Sequence, residues 1–367
     1  MKISFQILGF HPGGAEKVLC ALANGLAENG HDVTIWCVKG YGSRSFFDLS
    51  PKIQVHEIQG WDYGMLFGGK IKIIRDLCRI GKMYRIFRRE KPDAAVSFLT
   101  NMIIPSAWGA LLAGVPHVAC ERNSPWDKPE YARKRNRRNR AFAVSRGCVM
   151  QTDEVLHYFS DRIQKKAVVI PNPVLVDEQL RENRIPFSAR DRRIVSVGRL
   201  VPQKNHLLLL EGFDRFFLRH PEYRLEIYGT GPEQDSLQAY LMNHPSGEHV
   251  SLIAPVKDIH RRIQNASMFI MTSDYEGYPN ALAEAVALGI PCVSTNCRSG
   301  GPKAILKGGE AGLLIPVGSP DALAEAMSRI AESDLGDRLS QAGQEALFSD
   351  RNTVVRMWEQ YLREIAE

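Results

Sequence analysis

Short apolar runs bounded by turn residues alternate along this chain with longer segments of helical period, the pattern of parallel sheets covered by helices. Residues 2–8 read as a buried strand, 15–29 as a helix and 32–38 as the next strand, and 94–98, 117–120, 148–151 and 167–170 continue the series. After Pro171-Asn172-Pro173 it restarts, with strands at 193–197, 225–228, 250–253, 268–271 and 291–294 and a helix over 207–218. Two doubly wound α/β units follow from this. The proline pair and the polar stretch 177–193 mark their boundary, because few contacts cross such a linker. The expected domains are 1–172 and 173–350. Length agrees, since 367 residues exceed one core at roughly 100 to 200 residues per domain.

Composition narrows the class without naming it. A hydrophobic content of 44% with 24% charged residues is ordinary for a globular protein and excludes disorder. Cys20, Cys37, Cys78, Cys120, Cys148, Cys292 and Cys297 are odd in number and scattered, with no C-x-x-C pair. This argues for reduced thiols in a cytoplasm rather than disulfides or a zinc site. Only Lys2 precedes a first apolar run that Gly9, His11 and Pro12 interrupt, so no signal peptide is expected there. No later run reaches the roughly 18 apolar residues a membrane span needs. Charge is uneven: residues 1–172 carry a net +11 and the remainder −5, with the cations concentrated at 70–91 and 133–140.

The most informative chemistry lies between Ser273 and Glu284, where two carboxylates, Glu276 and Glu284, stand eight positions apart. Gly277 and Pro279 end the apolar run at 268–271 and start a helix, with Pro279 expected in its first turn, where a missing N–H costs nothing. Glu276 then sits in the loop and Glu284 about two turns into the helix. Free N–H groups at a helix start attract phosphate, so a diphosphate there would have Glu276 beside its sugar and Glu284 beside a ribose. By itself such a glutamate pair is more often a solvated surface pair; its surroundings reverse that weighting. Gly198-Arg199 follows the first strand of the second unit and Lys204 comes five residues later, placing two cations near the helix start at Tyr278 to hold a leaving diphosphate. Gly13-Gly14 likewise follows the first strand and opens the first helix, where absent side chains allow close backbone approach, although such a pair is as readily a tight turn.

Glu276, Gly277, Pro279, Asn280, Leu282, Glu284, Ala285, Gly289, Pro291 and Thr295 together resemble the E-x7-E signature of the retaining family-4 glycosyltransferases. Gly13-Gly14-Ala15-Glu16, Pro171-Asn172-Pro173 and Gly198-Arg199-Leu200 with Lys204-Asn205 agree with it in order, so the similarity spans most of the chain and is weakest in 40–90. The resemblance implies a GT-B fold, two Rossmann-like domains facing across a cleft, with a final helix at about 351–367 packing back on the first. It implies retaining transfer of a sugar from a nucleotide-sugar co-substrate, a UDP-sugar on frequency, with no cofactor or metal. No D-x-D motif or histidine cluster speaks for a metal. Arg199 and Lys204 would contact the pyrophosphate, Glu276 the sugar hydroxyls and Glu284 the ribose. Gly13 and Gly14 would line the donor from the other domain, and Gly277, Tyr278, Pro279 and Asn280 complete its loop. Where many relatives have a histidine beside the reacting sugar, this chain reads Ala119-Cys120-Glu121-Arg122-Asn123. Arg122 in that place would neutralise the leaving phosphate or bind an anionic acceptor, but it has too high a pKa to shuttle a proton. The Glu-Arg-Asn subgroup includes enzymes of bacterial exopolysaccharide and O-antigen assembly. Ala254 stands where relatives often have glycine near the base pocket.

The basic segments suggest the acceptor. In 70–91, Ile73, Ile74, Leu77, Ile80, Met83, Tyr84 and Phe87 follow a helical period among cations from Lys70 to Arg89, a pattern that suits an anionic membrane or, as simply, packs on the sheet. The run at 131–140 has no apolar stripe, and Arg133, Lys134, Arg135, Arg137, Arg138 and Arg140 suit lipid phosphates or an acceptor's pyrophosphate. No nucleic-acid-binding motif accompanies it, so nucleic acid is not the expected partner. The expectation is a cytoplasmic enzyme, peripheral on the inner face of the membrane, that extends a lipid-linked, lipopolysaccharide or exopolysaccharide glycan. The competing readings are a GT-B-type sugar-nucleotide epimerase and a non-catalytic membrane- or nucleic-acid-binding protein.

Overall fold

The computed structural model describes residues 1–10, 13–42, 45, 47–60, 72–126, 129–183, 185–345 and 350–367, the side chains of 72, 73 and 129–134 excepted. The chain forms two compact units, Met1–Pro173 with Ser349–Glu367, and Val174–Phe348.

The first unit is built on seven parallel strands, β1 (Lys2–Gln6), β2 (Asp32–Val38), β3 (Gln54–Ile58), β4 (Ala94–Phe98), β5 (His117–Cys120), β6 (Gly147–Met150) and β7 (Ala167–Val169), in the order β3-β2-β1-β4-β5-β6-β7. Every residue of β4, β5 and β6 is buried, because helices cover both faces and leave no polar side to alternate with. The order reverses between β1 and β4, the switch point outside whose carboxyl ends doubly wound sheets bind ligands.

Helices α1 (Gly14–Glu28), α2 (Lys72–Glu90), α3 (Thr100–Ala113) and α4 (Pro129–Val144) connect these strands, and the C-terminal helix Arg351–Ala366 completes the unit. That last helix lies close against α1 where Gly25 has no side chain: a Cβ there would be 2.4 Å from Val355 Cγ2. Its Trp358 is fully buried and stacks on Phe98 with centroids 6.4 Å apart. The Tyr361 hydroxyl donates to the Lys166 carbonyl (2.7 Å) and accepts from the Cys148 N–H (2.9 Å).

The second unit has six parallel strands, β8 (Asp191–Val197), β9 (Arg224–Tyr228), β10 (Val250–Ile253), β11 (Ala266–Met271), β12 (Cys292–Thr295) and β13 (Leu313–Ile315), ordered β10-β9-β8-β11-β12-β13. β3 and β13 are absent from the sequence reading for physical reasons. β3 is an edge strand with Gln54 and Val55 exposed, and β13 is three residues long, so neither shows a continuous apolar run. α3 escapes notice as well, since Pro105 sits inside it and its apolar residues run nearly all round.

α2 divides into two parts. Met83, Ile86 and Phe87 pack with Trp36, Val38, Ile58, Met102 and Ala110, and α3 comes close enough that a Cβ on Gly109 would lie 2.6 Å from Met83 Cβ. In its N-terminal half Ile74 and Leu77 are 57% and 60% exposed; Lys70 and the Ile73 side chain lie outside the described residues. Among the described residues no helix is long and apolar enough to cross a membrane. All seven cysteines are free thiols, and only Cys78 is exposed.

Candidate active site

Four loops leave the carboxyl ends of the neighbouring strands β9, β8, β11 and β12. Backbone contacts that only glycine allows join them. A Cβ on Gly229 would lie 1.9 Å from the Gly198 carbonyl oxygen, one on Gly231 2.1 Å from that of Leu200, and one on Gly301 1.9 Å from that of Gly277. The Gly198 N–H donates to the Tyr228 carbonyl (3.0 Å) and the Leu200 N–H to that of Thr230 (2.9 Å). Gly229, Gly231 and Gly301 were missed in the sequence, although a Gly-x-Gly directly after a strand was a legible signal for the first two.

Side chains then tie the loop after β8 to the loop after β11. The Thr272 hydroxyl donates to the Asn205 carbonyl (2.9 Å), the Asp274 N–H to the Gln203 carbonyl (2.9 Å), Gln203 Nε2 to the Tyr275 carbonyl (2.9 Å) and Asn205 Nδ2 to Asp274 Oδ1 (2.8 Å). Asn205 is the pivot. It adopts a left-handed conformation at φ +47°, which asparagine tolerates, and caps the helix His206–Phe217 by accepting the Leu208 N–H (3.2 Å).

The outcome is that Lys204 Nζ meets Glu276 Oε1, and the Ser273 hydroxyl donates to the same oxygen (2.7 Å). Glu276 is buried, so its charge is held by a cation and a hydroxyl rather than by water. Arg199, from the loop after β8, is exposed. Its carbonyl faces His206 Nε2 (3.3 Å), and burial pulls that imidazole down to about 4, keeping it neutral at pH 7.

Pro279 is the N-cap, with ψ 104°, and the helix begins at Asn280. This corrects the sequence expectation by one position: the extended ψ at Pro279 delays the first turn. Glu284 follows on this helix, buried, with Oε2 3.0 Å from His260 Nε2 of the short helix Ile259–Ile263. Nothing in the sequence linked His260 to this carboxylate. Burial raises the Tyr278 phenol above its ordinary range, so it remains a hydrogen-bond donor.

In the first unit Gly13 caps α1 and Gly14 is its first residue. A Cβ on Gly13 would lie 2.3 Å from Glu16 Oε2, so glycine lets the buried Glu16 fold back over the helix start. Arg122, just beyond β5, is buried with its guanidinium 4.5 Å from the Phe98 ring and 5.7 Å from that of Trp358. Nη1 donates to Asn172 Oδ1 (2.8 Å), which also accepts from Gln151 Nε2 (2.8 Å), while Nε and Nη2 have no hydrogen-bond partner among the described residues. Burial lowers its pKa from the ordinary arginine value.

The basic run lies within α4, with the Arg133 and Lys134 side chains outside the described residues. Arg135, Arg137 and Arg140 are exposed, and Arg137 pairs with Asp76 of α2 (2.6 Å). Arg138 requires a correction: it is not a surface cation. It is fully buried, pairs with buried Glu121 (3.4 Å) and lies against the rings of Tyr158 and Phe159. Among the described residues no three of His, Cys, Asp or Glu are grouped to hold a metal ion.

Two family models match. Residues 12–178 match Glycosyltransferase Family 4 and residues 177–346 match Glycosyl transferases group 1. The chain is 26% identical over 351 residues to the lipopolysaccharide core biosynthesis glycosyltransferase LpsE of Rhizobium meliloti, covering 93% of this chain and 94% of that one. It is 24% identical over 335 residues to a Campylobacter jejuni α-1,4-N-acetyl-D-galactosaminyltransferase that acts on an undecaprenol-diphosphate-linked glycan, covering 90% and 89%. A longer relative, the exopolysaccharide phosphotransferase SCO2592 of Streptomyces coelicolor, is 29% identical over 225 residues, 59% of this chain and 23% of that one. Among solved structures, HepE of Anabaena in complex with UDP superposes with a TM-score of 0.77 at 16% identity, over 99% of this chain and 100% of that one, which establishes the GT-B fold. With the two models spanning 12–346 between them, the chain belongs to the family-4 glycosyltransferases and is related to the bacterial enzymes of lipopolysaccharide and exopolysaccharide synthesis.

Proposed function

We propose that this glycosyltransferase moves a hexose from a UDP-sugar, with retention, to a hydroxyl of a lipid-linked, lipopolysaccharide or exopolysaccharide glycan, without a metal, at the inner face of the cytoplasmic membrane. The observation that carries this reading is the Lys204–Glu276–Ser273 cluster beside the start of the helix Asn280–Ala287. In the reaction the bond from the anomeric carbon to the diphosphate breaks, the acceptor oxygen bonds to that carbon on the same face, and the acceptor proton leaves with the phosphate oxygen. Negative charge grows on the diphosphate as this proceeds. Lys204 and Arg199 are the cations that would offset it, with the helix start at Asn280 adding its dipole and Tyr278 in the loop before it. Glu276 orients the sugar hydroxyls and Glu284 the ribose, and Gly13, Gly14, Gly277 and Pro279 leave room for the backbone to approach. Arg122 supplies a further cation from the first unit.

The relatives support the substrate classes: HepE was crystallised with UDP, and the Campylobacter enzyme acts on an undecaprenol-diphosphate glycan. The test is a panel of UDP-glucose, UDP-galactose, UDP-N-acetylglucosamine and GDP-mannose with a bacterial lipid extract. Nucleotide release coupled to label transfer into lipid is expected for a UDP-sugar. Epimerised sugar without transfer would favour the epimerase reading instead. Saturating EDTA should leave the rate within about twofold, because fixed cations and N–H dipoles stabilise a leaving diphosphate as a metal would. Loss of rate restored by Mg²⁺ or Mn²⁺ would overturn the metal-free reading.

Exposed Ile74 and Leu77 on α2, and Arg135, Arg137 and Arg140 on α4, support membrane docking through the first unit. Each such cation near an anionic surface is worth about 1 kcal/mol, screened over roughly 8 Å at physiological salt. Sedimentation with phosphatidylglycerol vesicles should therefore weaken as salt rises. Arg135→Ser with Arg137→Ser and Arg140→Ser should release the protein and raise the KM for a lipid-linked acceptor while sparing hydrolysis of the soluble donor. If the triple variant stays bound and loses donor hydrolysis, the helix belongs to the donor site.

A further inference from the structure

The geometry points to Arg138 as a positioning residue for Arg122, acting through Glu121. This rests on the catalytic place proposed for Arg122. Four arginines of α4 stand within six positions, yet only Arg138 is taken wholly out of water. Such burial is unfavourable unless the charge is paired, and the partner is Glu121, itself 2% exposed, with the Tyr158 and Phe159 rings 5.3 and 5.5 Å from the guanidinium. Glu121 uses its other oxygen differently: Oε1 accepts the backbone N–H groups of Arg122 (3.0 Å) and Asn123 (3.3 Å). One carboxylate thus joins a guanidinium rooted in α4 to the turn from which Arg122 leaves the sheet.

Two consequences follow for Arg122. Its side chain donates from Nη1 to Asn172, interacts with the Cys120 thiol and rests on two rings, all of them close to the end of β5, so its aim depends on the turn below it. The second consequence is electrostatic. Glu121 is the residue next to Arg122 and acts on its charge through space, but its two oxygens are taken by the Arg138 guanidinium and by backbone N–H groups, not by the Arg122 guanidinium. Nε and Nη2, the two parallel donors on one edge of the guanidinium, have no hydrogen-bond partner among the described residues, and that edge matches a phosphate or carboxylate bidentately.

The test uses the full-length protein labelled with ¹⁵N-arginine. The Arg122 Nε–H resonance, assigned by its loss in Arg122→Gln, is expected to shift or broaden in Arg138→Met. With the donor of the panel that is turned over, kcat in Arg138→Met should fall about tenfold to a hundredfold, the scale of a misplacement of about 1 Å, with donor KM within about threefold. In an Arg122→Gln background Arg138→Met should lower kcat no further. An unmoved resonance, or kcat losses that simply add, overturns the inference. Full kcat in Arg122→Gln would instead overturn the catalytic place of Arg122, while the resonance still decides whether Arg138 positions it. Should Arg138→Met fail to fold, Arg138→Lys keeps the charge without the fork and is read the same way.

Discussion

Lys204→Ala is expected to lower turnover by roughly tenfold to a thousandfold, the usual consequence of removing one preorganised charge from a transition state. Lys204 carries this weight because of where its loop holds it. It ends a 3₁₀ turn, Pro202–Lys204, directly before the left-handed Asn205, and its stem runs in van der Waals contact with the Gly198 turn. Stability should change far less than rate. Lys204 is one-fifth exposed, and Glu276 keeps the Ser273 hydroxyl when the ammonium is gone. Lys204→Arg separates charge from geometry, since it keeps the cation and moves it; an intermediate rate is expected. Initial rates of nucleotide release beside thermal melts make the comparison. Undiminished turnover in Lys204→Ala would remove it from the site.

The largest stability effect is expected from Trp358→Ala, which should cost about 3–5 kcal/mol, as truncating a buried aromatic in a packed core does. Trp358 is fully buried in the C-terminal helix, yet its neighbours belong to the start of the chain: it clusters with Ile3, Phe5, Leu22 and Phe98. The loss should therefore fall on the first unit alone. Urea unfolding should show the transition of that unit moving to lower denaturant while the other stays in place, and two transitions need to be fitted separately because the chain has two cores. A loss under about 1 kcal/mol would mean the site collapses around the void. Arg122 rests over the same ring, so the variant should also lose part of the proposed function of Arg122.

Much of the architecture was legible because parallel strands buried on both faces are continuous apolar runs, and β2, β4, β5 and β10 appear at the bounds the sequence predicts. The E-x7-E stretch was legible for a related reason: its elements are local, and a glycine, a proline and two carboxylates at set spacing describe a loop entering a helix without reference to anything distant. Edge strand β3 and three-residue β13 lacked that local signal. What the sequence by itself determined was the alternation of strand and helix, its restart after the Pro171-Asn172-Pro173 segment, and the residue types gathered in the loops after β8 and β11.

The tertiary structure decided the pairings. Lys204 and Glu276 are 72 positions apart and meet because β8 and β11 are neighbours in the sheet. Glu284 meets His260 for a similar reason, through a helix that no periodicity connected to it. Arg137 and Arg138 show the limit most directly, as adjacent members of one charge run, the first exposed beside Asp76 and the second buried against Glu121. A one-residue step turns a helix by roughly 100°, so neighbours of the same type face opposite environments. Which of them faces inward depends on an acid and two rings that only the folded chain brings to that side.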